Sequence, residues 1–201
     1  MKAILITAAL LITVGPALSQ ERLSRQEALK YAFVLSADLK RLQGTPIPTD
    51  PDVKRPVGVR DEDYAGMVLP ETKLSQDALA KADKEVVPVG QLWLHRLAPL
   101  GASAVVPETK LLRVTVNHEG NDATLVLCAL GVRQSAEGKL ELLVYGKEKE
   151  PVLRAALKPA SIAQDNPLEL AAERRDDGGL LTLRILGKYE ASFMVTDPER
   201  Y

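Results

Sequence analysis

Two histidines, one cysteine and one tryptophan are the side chains of this 201-residue sequence scarce enough to follow one by one. Trp93 and His95 stand two apart in Gln91-Leu-Trp-Leu-His-Arg-Leu97, and on a strand that spacing sends both to one face while Leu92 and Leu94 go to the other. An indole beside an imidazole could stack on a sugar ring or another flat ligand and donate a hydrogen bond. The pair is therefore the candidate ligand site, weighed against the fact that a lone tryptophan in a small β-domain is more often core. His118 falls in Asn117-His-Glu-Gly-Asn-Asp122. That run is rich in oxygen and nitrogen ligands, but the same residue types dominate solvated turns for conformational reasons, and a turn is expected.

Other chemistry is excluded residue by residue. With His95 and His118 alone no imidazole-rich metal centre can be built, and the spacing fits neither the H-E-x-x-H zinc pattern nor the D-x-D-x-D-G calcium loop. No metal is expected, and in the absence of a P-loop or dinucleotide fingerprint no cofactor either. Gly101-Ala-Ser103 is the nearest approach to a nucleophile elbow and lacks its second glycine. Cys128 sits in the apolar run Leu125-Val-Leu-Cys-Ala-Leu130, which predicts a buried, inert thiol that pairs with nothing in the chain. A hydrolase using His95 or His118 with nearby acids would need those side chains to converge in space.

Composition sets the address. Lys2, the apolar stretch Ala3 to Gly15 and the small-residue site Ala17-Leu-Ser19 have the form of a secretory leader, cleaved after Ser19. The apolar stretch is shorter than the roughly 20 residues of a spanning helix, so no integral membrane span is expected once the leader is removed. The chain carries 26 basic and 27 acidic side chains, a formal net charge of −1, and loss of Lys2 moves the mature chain to −2. Such a balance argues against a nucleic-acid or anionic-membrane footprint. The 4% aromatic content likewise disfavours a stacking platform for single strands.

The elements that must position Trp93 and His95 follow from periodicity. Ser24-Arg-Gln-Glu27 has the S-x-x-E form of a capping box. Ala28, Ala32, Leu35, Leu39 and Leu42 then form one apolar stripe, widened by Leu29 and Phe33 and stopped at Gly44. Pro46, Pro48, Pro51 and Pro56 mark an extended segment, and Ser75 can cap a short helix through about Asp83. Leu69-Pro-Glu-Thr72 resembles the start of a sortase sorting signal, but Lys73 stands where that signal has glycine, and neither an apolar segment nor a basic tail follows. From Lys110 to Tyr145 three strands are expected as a β-meander, the middle one apolar on both faces. Leu168, Leu170 and Ala172, alternating with Glu169 and Glu173, read as a further strand. Gly138 to Lys147 and Gly179 to Lys188 match at an offset of 41, each a strand ending in a Gly-Lys turn; the second has the Gly-X form of a two-residue type II′ hairpin.

The expected architecture is mainly β: an antiparallel β-sandwich preceded by an amphipathic helix and a Pro-rich linker. The divisions are a leader over 1–19, the helix over 20–44, the linker with its short helix over 45–84, and the sandwich over 85–201. The expected function is that of an exported, non-catalytic binding or structural module of the cell envelope or extracellular space, its partner an unidentified protein or envelope component. A carbohydrate or small-ligand binder centred on Trp93 and His95 is the first alternative. The hydrolase is the second.

Overall fold

The structure is a computed structural model that describes residues 21–39, 45–62, 64–101, 104–118, 120–175 and 178–200. The expected leader, Leu42 and Gly44 at the end of the apolar stripe, and Ser103 lie outside the described residues.

The chain begins with β1 (Glu21–Arg22), α1 (Arg25–Leu39), β2 (Val57–Asp61) and β3 (Tyr64–Pro70). The short helix α2 (Gln76–Leu79) passes into a 3-10 turn (Ala80–Asp83) ahead of β4 (Val87–His95) and β5 (Ala98–Pro99). Next come β6 (Leu112–His118), β7 (Asn121–Gln134), β8 (Leu140–Tyr145), β9 (Leu153–Ala156) and β10 (Lys158–Pro159). The last three strands are β11 (Leu168–Arg175), β12 (Gly178–Ile185) and β13 (Tyr189–Thr196). The architecture is mainly β, in two curled antiparallel sheets.

The larger sheet runs β1-β2-β3-β4-β7-β8-β9, with β6 also on β7; the smaller runs β10-β13-β12-β11, with β5 also on β13. One core lies between them. On the larger sheet Leu92, Leu94, Val126, Cys128, Leu130 and Val132 face Leu168, Leu170, Leu181, Leu183, Ile185 and Phe193 of the smaller. The opposite face of the larger sheet is apolar too, through Met67, Trp93, Val114, Val116 and Leu127, and α1 covers it with Ala28, Ala32 and Leu35. Both faces of β7 are thus buried in its middle, which is why its sequence is a continuous apolar run and not an alternation. On β12 Gly179, Leu181, Leu183 and Ile185 are buried while Leu180, Thr182 and Arg184 are half-buried, the pattern of a sheet with a core on one side.

Four sequence expectations are corrected. Residues 45–84, expected as a linker, contain β2 and β3, which pair with each other, β3 pairing in turn with β4. The prolines misled because they lie ahead of β2 and at the last position of β3, leaving Val57-Gly-Val-Arg60 and Ala65-Gly-Met-Val-Leu69 free to pair. Residues 110–145 are not a meander: β6 takes Ala123 to Leu127 and β8 takes Ala129 to Gln134 on the edge of β7 opposite β4. The turn between β12 and β13 is centred on Leu186 and Gly187, at φ +54° and +66°, with Ile185 opposite Tyr189, so it is built on a type I′ turn and not II′. Phe33 does not widen the buried stripe; it is 77% exposed, because it follows Ala32 by one residue, roughly 100° round the helix.

Glu169 also departs from the alternation of β11, being buried. Its carboxylate accepts from the backbone N–H groups of Asp165 and Asn166 at 3.1 and 3.4 Å and from Arg22 at 3.3 Å. These partners compensate the loss of water around the charge, and they tie the end of β1 to the smaller sheet.

Candidate functional site

Register across the larger sheet lines up the site. Arg60 of β2 lies opposite Ala65 of β3, Ala65 opposite His95 of β4, His95 opposite Leu125 of β7, and Leu125 opposite Val114 of β6. Residues paired across an antiparallel ladder point to the same side, so this row faces α1. The row two residues away carries Met67, Trp93 and Leu127 on that face. The helix packs against the sheet chiefly at β6 and β2. Between those two supports, above the middle strands, lies a groove of about 540 Å³.

Its floor is apolar, from Ala65, Met67, Trp93, Ala123 and Leu125, and α1 contributes Tyr31, Val34 and Leu35 as one wall. The polar lining comes from Arg60, Glu62, His95, His118 and Asn121. Trp93 and His95, paired in the sequence reading, thus face one groove. Trp93 is only 2% exposed, however, and its indole Nε1 donates to Gln91 Oε1 at 3.1 Å. The indole therefore forms an edge of the floor; its face is not open for a sugar ring to stack on.

His118 reaches the same groove from the other side. β6 continues through His118 and β7 starts at Asn121, so the hairpin turn is tighter than the six-residue run suggested. Gly120 takes φ +82° in it, and Asn117 Nδ2 donates to Asp122 Oδ1 at 2.6 Å on the outer side. On the inner side the His118 ring meets Tyr31 of α1 edge to face, with centroids 6.1 Å apart. That contact seats the helix on β6.

The other end of α1 is fixed by charge. Ser24 Oγ and Ser24 N donate to Glu27 Oε2 at 2.6 and 3.0 Å, and Glu27 N donates back to Ser24 Oγ at 3.3 Å, a formed capping box. The Ser24 hydrogen bonds, with Arg60 as a smaller contributor, hold the Glu27 carboxyl below its ordinary range. Arg60 donates to Glu27 at 3.2 Å and to Glu21 at 3.1 Å. One guanidinium thereby joins β1, β2 and the first turn of α1.

Among the described residues no group of three or more His, Cys, Asp or Glu side chains could hold a metal ion. Cys128 faces the core on the opposite side of the sheet, and burial pushes its thiol up to about 12; a nucleophile needs a thiolate. Of the acids, only Glu62 lines the groove among the described residues, and it is exposed. Sequence reasoning missed Arg60 and Tyr31. Nothing local marks them, since each is defined by what register and helix docking bring opposite.

No protein-family model, curated protein or solved structure matches the chain. Nor is any helix among the described residues long and apolar enough to cross a membrane.

Proposed function

We propose that the chain is an exported, non-catalytic binding module of the cell envelope or extracellular space, built as a β-sandwich with a helix on its outer face, and that it binds a small ligand in the groove beneath that helix. The observation that carries this reading is the groove itself: about 540 Å³, with an apolar floor and polar groups at its sides. Its volume falls within the roughly 300–1,000 Å³ usual for small-molecule sites, and its mixture of many apolar and few polar groups is also theirs. Export rests on the leader read at residues 1–19. The non-catalytic reading is supported by the exposure of Glu62, the one acid lining the groove among the described residues, since acids set for catalysis are usually tuned by burial.

The test is to isolate the chain from its exported fraction and weigh it by native mass spectrometry. An adduct of discrete mass is expected, and it should be lost when Ala65, at the centre of the floor, becomes Phe. Retention of the chain in the cytoplasm with its leader uncut would overturn the export reading. An adduct that survives Ala65→Phe in a folded protein would move the ligand out of the groove.

A further inference from the structure

We infer that the groove takes an uncharged, largely apolar molecule carrying a hydroxyl or carbonyl group. The inference rests on the groove being the ligand site, and the charges around it select the ligand. Arg60, the one Lys or Arg side chain among the described residues lining it, is held by Glu21 and Glu27 at 3.1 and 3.2 Å. Its positive charge is already met within the protein. An anionic head would have to compete with those two carboxylates, and would meet Glu62 as well.

A cationic head fares no better. Glu62 is exposed, where water and salt leave little net attraction in an ion pair, while deeper in the groove a charge would lie on Met67, Ala123 and Leu125. Stripping water from a charge without a partner costs far more than stripping it from a hydroxyl that gains a hydrogen bond. Of the polar lining, His95, His118 and Asn121 carry hydrogen-bonding groups without a permanent charge. An imidazole and a carboxamide can each both donate and accept, so together they suit an alcohol or a ketone on an apolar body.

The chain's only tryptophan lies in the floor, so its emission reports occupancy. Full-length protein is titrated with decanol, decanoate and decyltrimethylammonium, three probes with one tail and different heads, at mildly alkaline pH and below micelle formation. Decanol is expected to saturate the Trp93 signal at a concentration about tenfold lower than either charged probe. Ala65→Phe should abolish the response with far-UV circular dichroism unchanged, and Ala123→Leu serves if the first variant does not fold. His95→Phe, which keeps a ring and removes its hydrogen bonds, should reduce the advantage of decanol over the charged probes to about twofold or less. A charged probe that binds as tightly as decanol, and is displaced by the floor substitutions, overturns the inference and leaves the groove standing as the site. No response to any probe, or a response untouched by both floor substitutions, overturns the groove itself.

Discussion

The indole N–H of Trp93 donates to the side-chain oxygen of Gln91 at 3.1 Å, and Gln91 in turn donates to Thr49 Oγ1 at 2.8 Å. Both members of the first pair are buried on one strand, two residues apart on the face beneath α1. Replacing Gln91 with Leu keeps the volume close and leaves the indole N–H with no acceptor in a dry place. The expected cost is about 1–3 kcal/mol in a urea titration, and native Trp93 emission should shift. A loss under about 0.5 kcal/mol would mean that water reaches the indole.

The capping box at the start of α1 can be broken from either side. Ser24→Ala removes the acceptor for the Glu27 N–H and the donor to its carboxylate, with an expected loss of about 1 kcal/mol. The helix roofs the groove, so the same variant should weaken decanol binding more than it weakens the fold. Hydrogen exchange confined to residues 25–35 would show the helix loosening ahead of the sheets.

Two glutamates should respond oppositely to pH. Glu27 is held below its ordinary value of 4.5 by Ser24 and Arg60, so its contribution is present above that value and disappears as pH falls through the lowered one. Glu71 is pushed above 4.5, chiefly by burial. The folded state then binds its proton more tightly, and stability is lost as pH rises from the ordinary to the raised value. Melting temperatures across pH should therefore show Glu27→Gln below wild type at neutrality and Glu71→Gln above it, with both differences closing in acid. A Glu71→Gln protein less stable than wild type at neutrality would show that the hydrogen bond from Asp50 N, at 2.8 Å, outweighs burial.

Gly90 and Gly120 are both at positive φ, +147° and +82°, yet only one should resist substitution. A Cβ at Gly90 would stand 2.2 Å from the carbonyl oxygen of Leu69 and 3.0 Å from Leu168 Cδ2, whereas one at Gly120 meets nothing within 4 Å. Gly90→Ala is expected to cost about 3 kcal/mol or more, or to abolish soluble expression. Gly120→Asn should stay within about 0.5 kcal/mol, since Asn tolerates the left-handed region.

Cys128 should ignore thiol reagents until the protein unfolds. Its side chain is fully buried and its thiol is raised to about 12, so a disulfide reagent in excess should label it only in denaturant. Labelling of native protein on the minutes scale would mean that the core between the sheets opens locally.

Local signals in the sequence were read well where one element could satisfy them alone. Ser24 and Glu27 exchange the hydrogen bonds that S-x-x-E implies, Ser75 Oγ accepts from Ala78 N at 3.2 Å, and the apolar run around Cys128 is a strand covered on both sides. What could not be read depends on a distant partner. Glu169 looks solvent-facing by alternation until Arg22 and the amides of Asp165 and Asn166 close on it. Tyr64, inside the expected linker, gives its hydroxyl to Asp197 at 2.9 Å from the far end of the chain. β2 and β3 were hidden by prolines whose effect stops at the residues beside them. The groove was half legible: the period of two put Trp93 and His95 on one face, but its roof and Arg60 follow from how α1 docks.

The junction on β7 has a mechanical consequence. β6 ends its pairing at Leu127 and β8 begins at Ala129, both on the same edge, so Cys128 marks a seam there. The hydrogen bond from Lys147 N to the Lys110 carbonyl, at 2.8 Å, stitches the seam near its mouth, while on the other edge β4 runs past it unbroken from Val126 to Leu130. The sheet is therefore two panels on a common spine. The panel carrying Val116 and His118, which lines the groove, shares no ladder with the panel formed by β8 and β9.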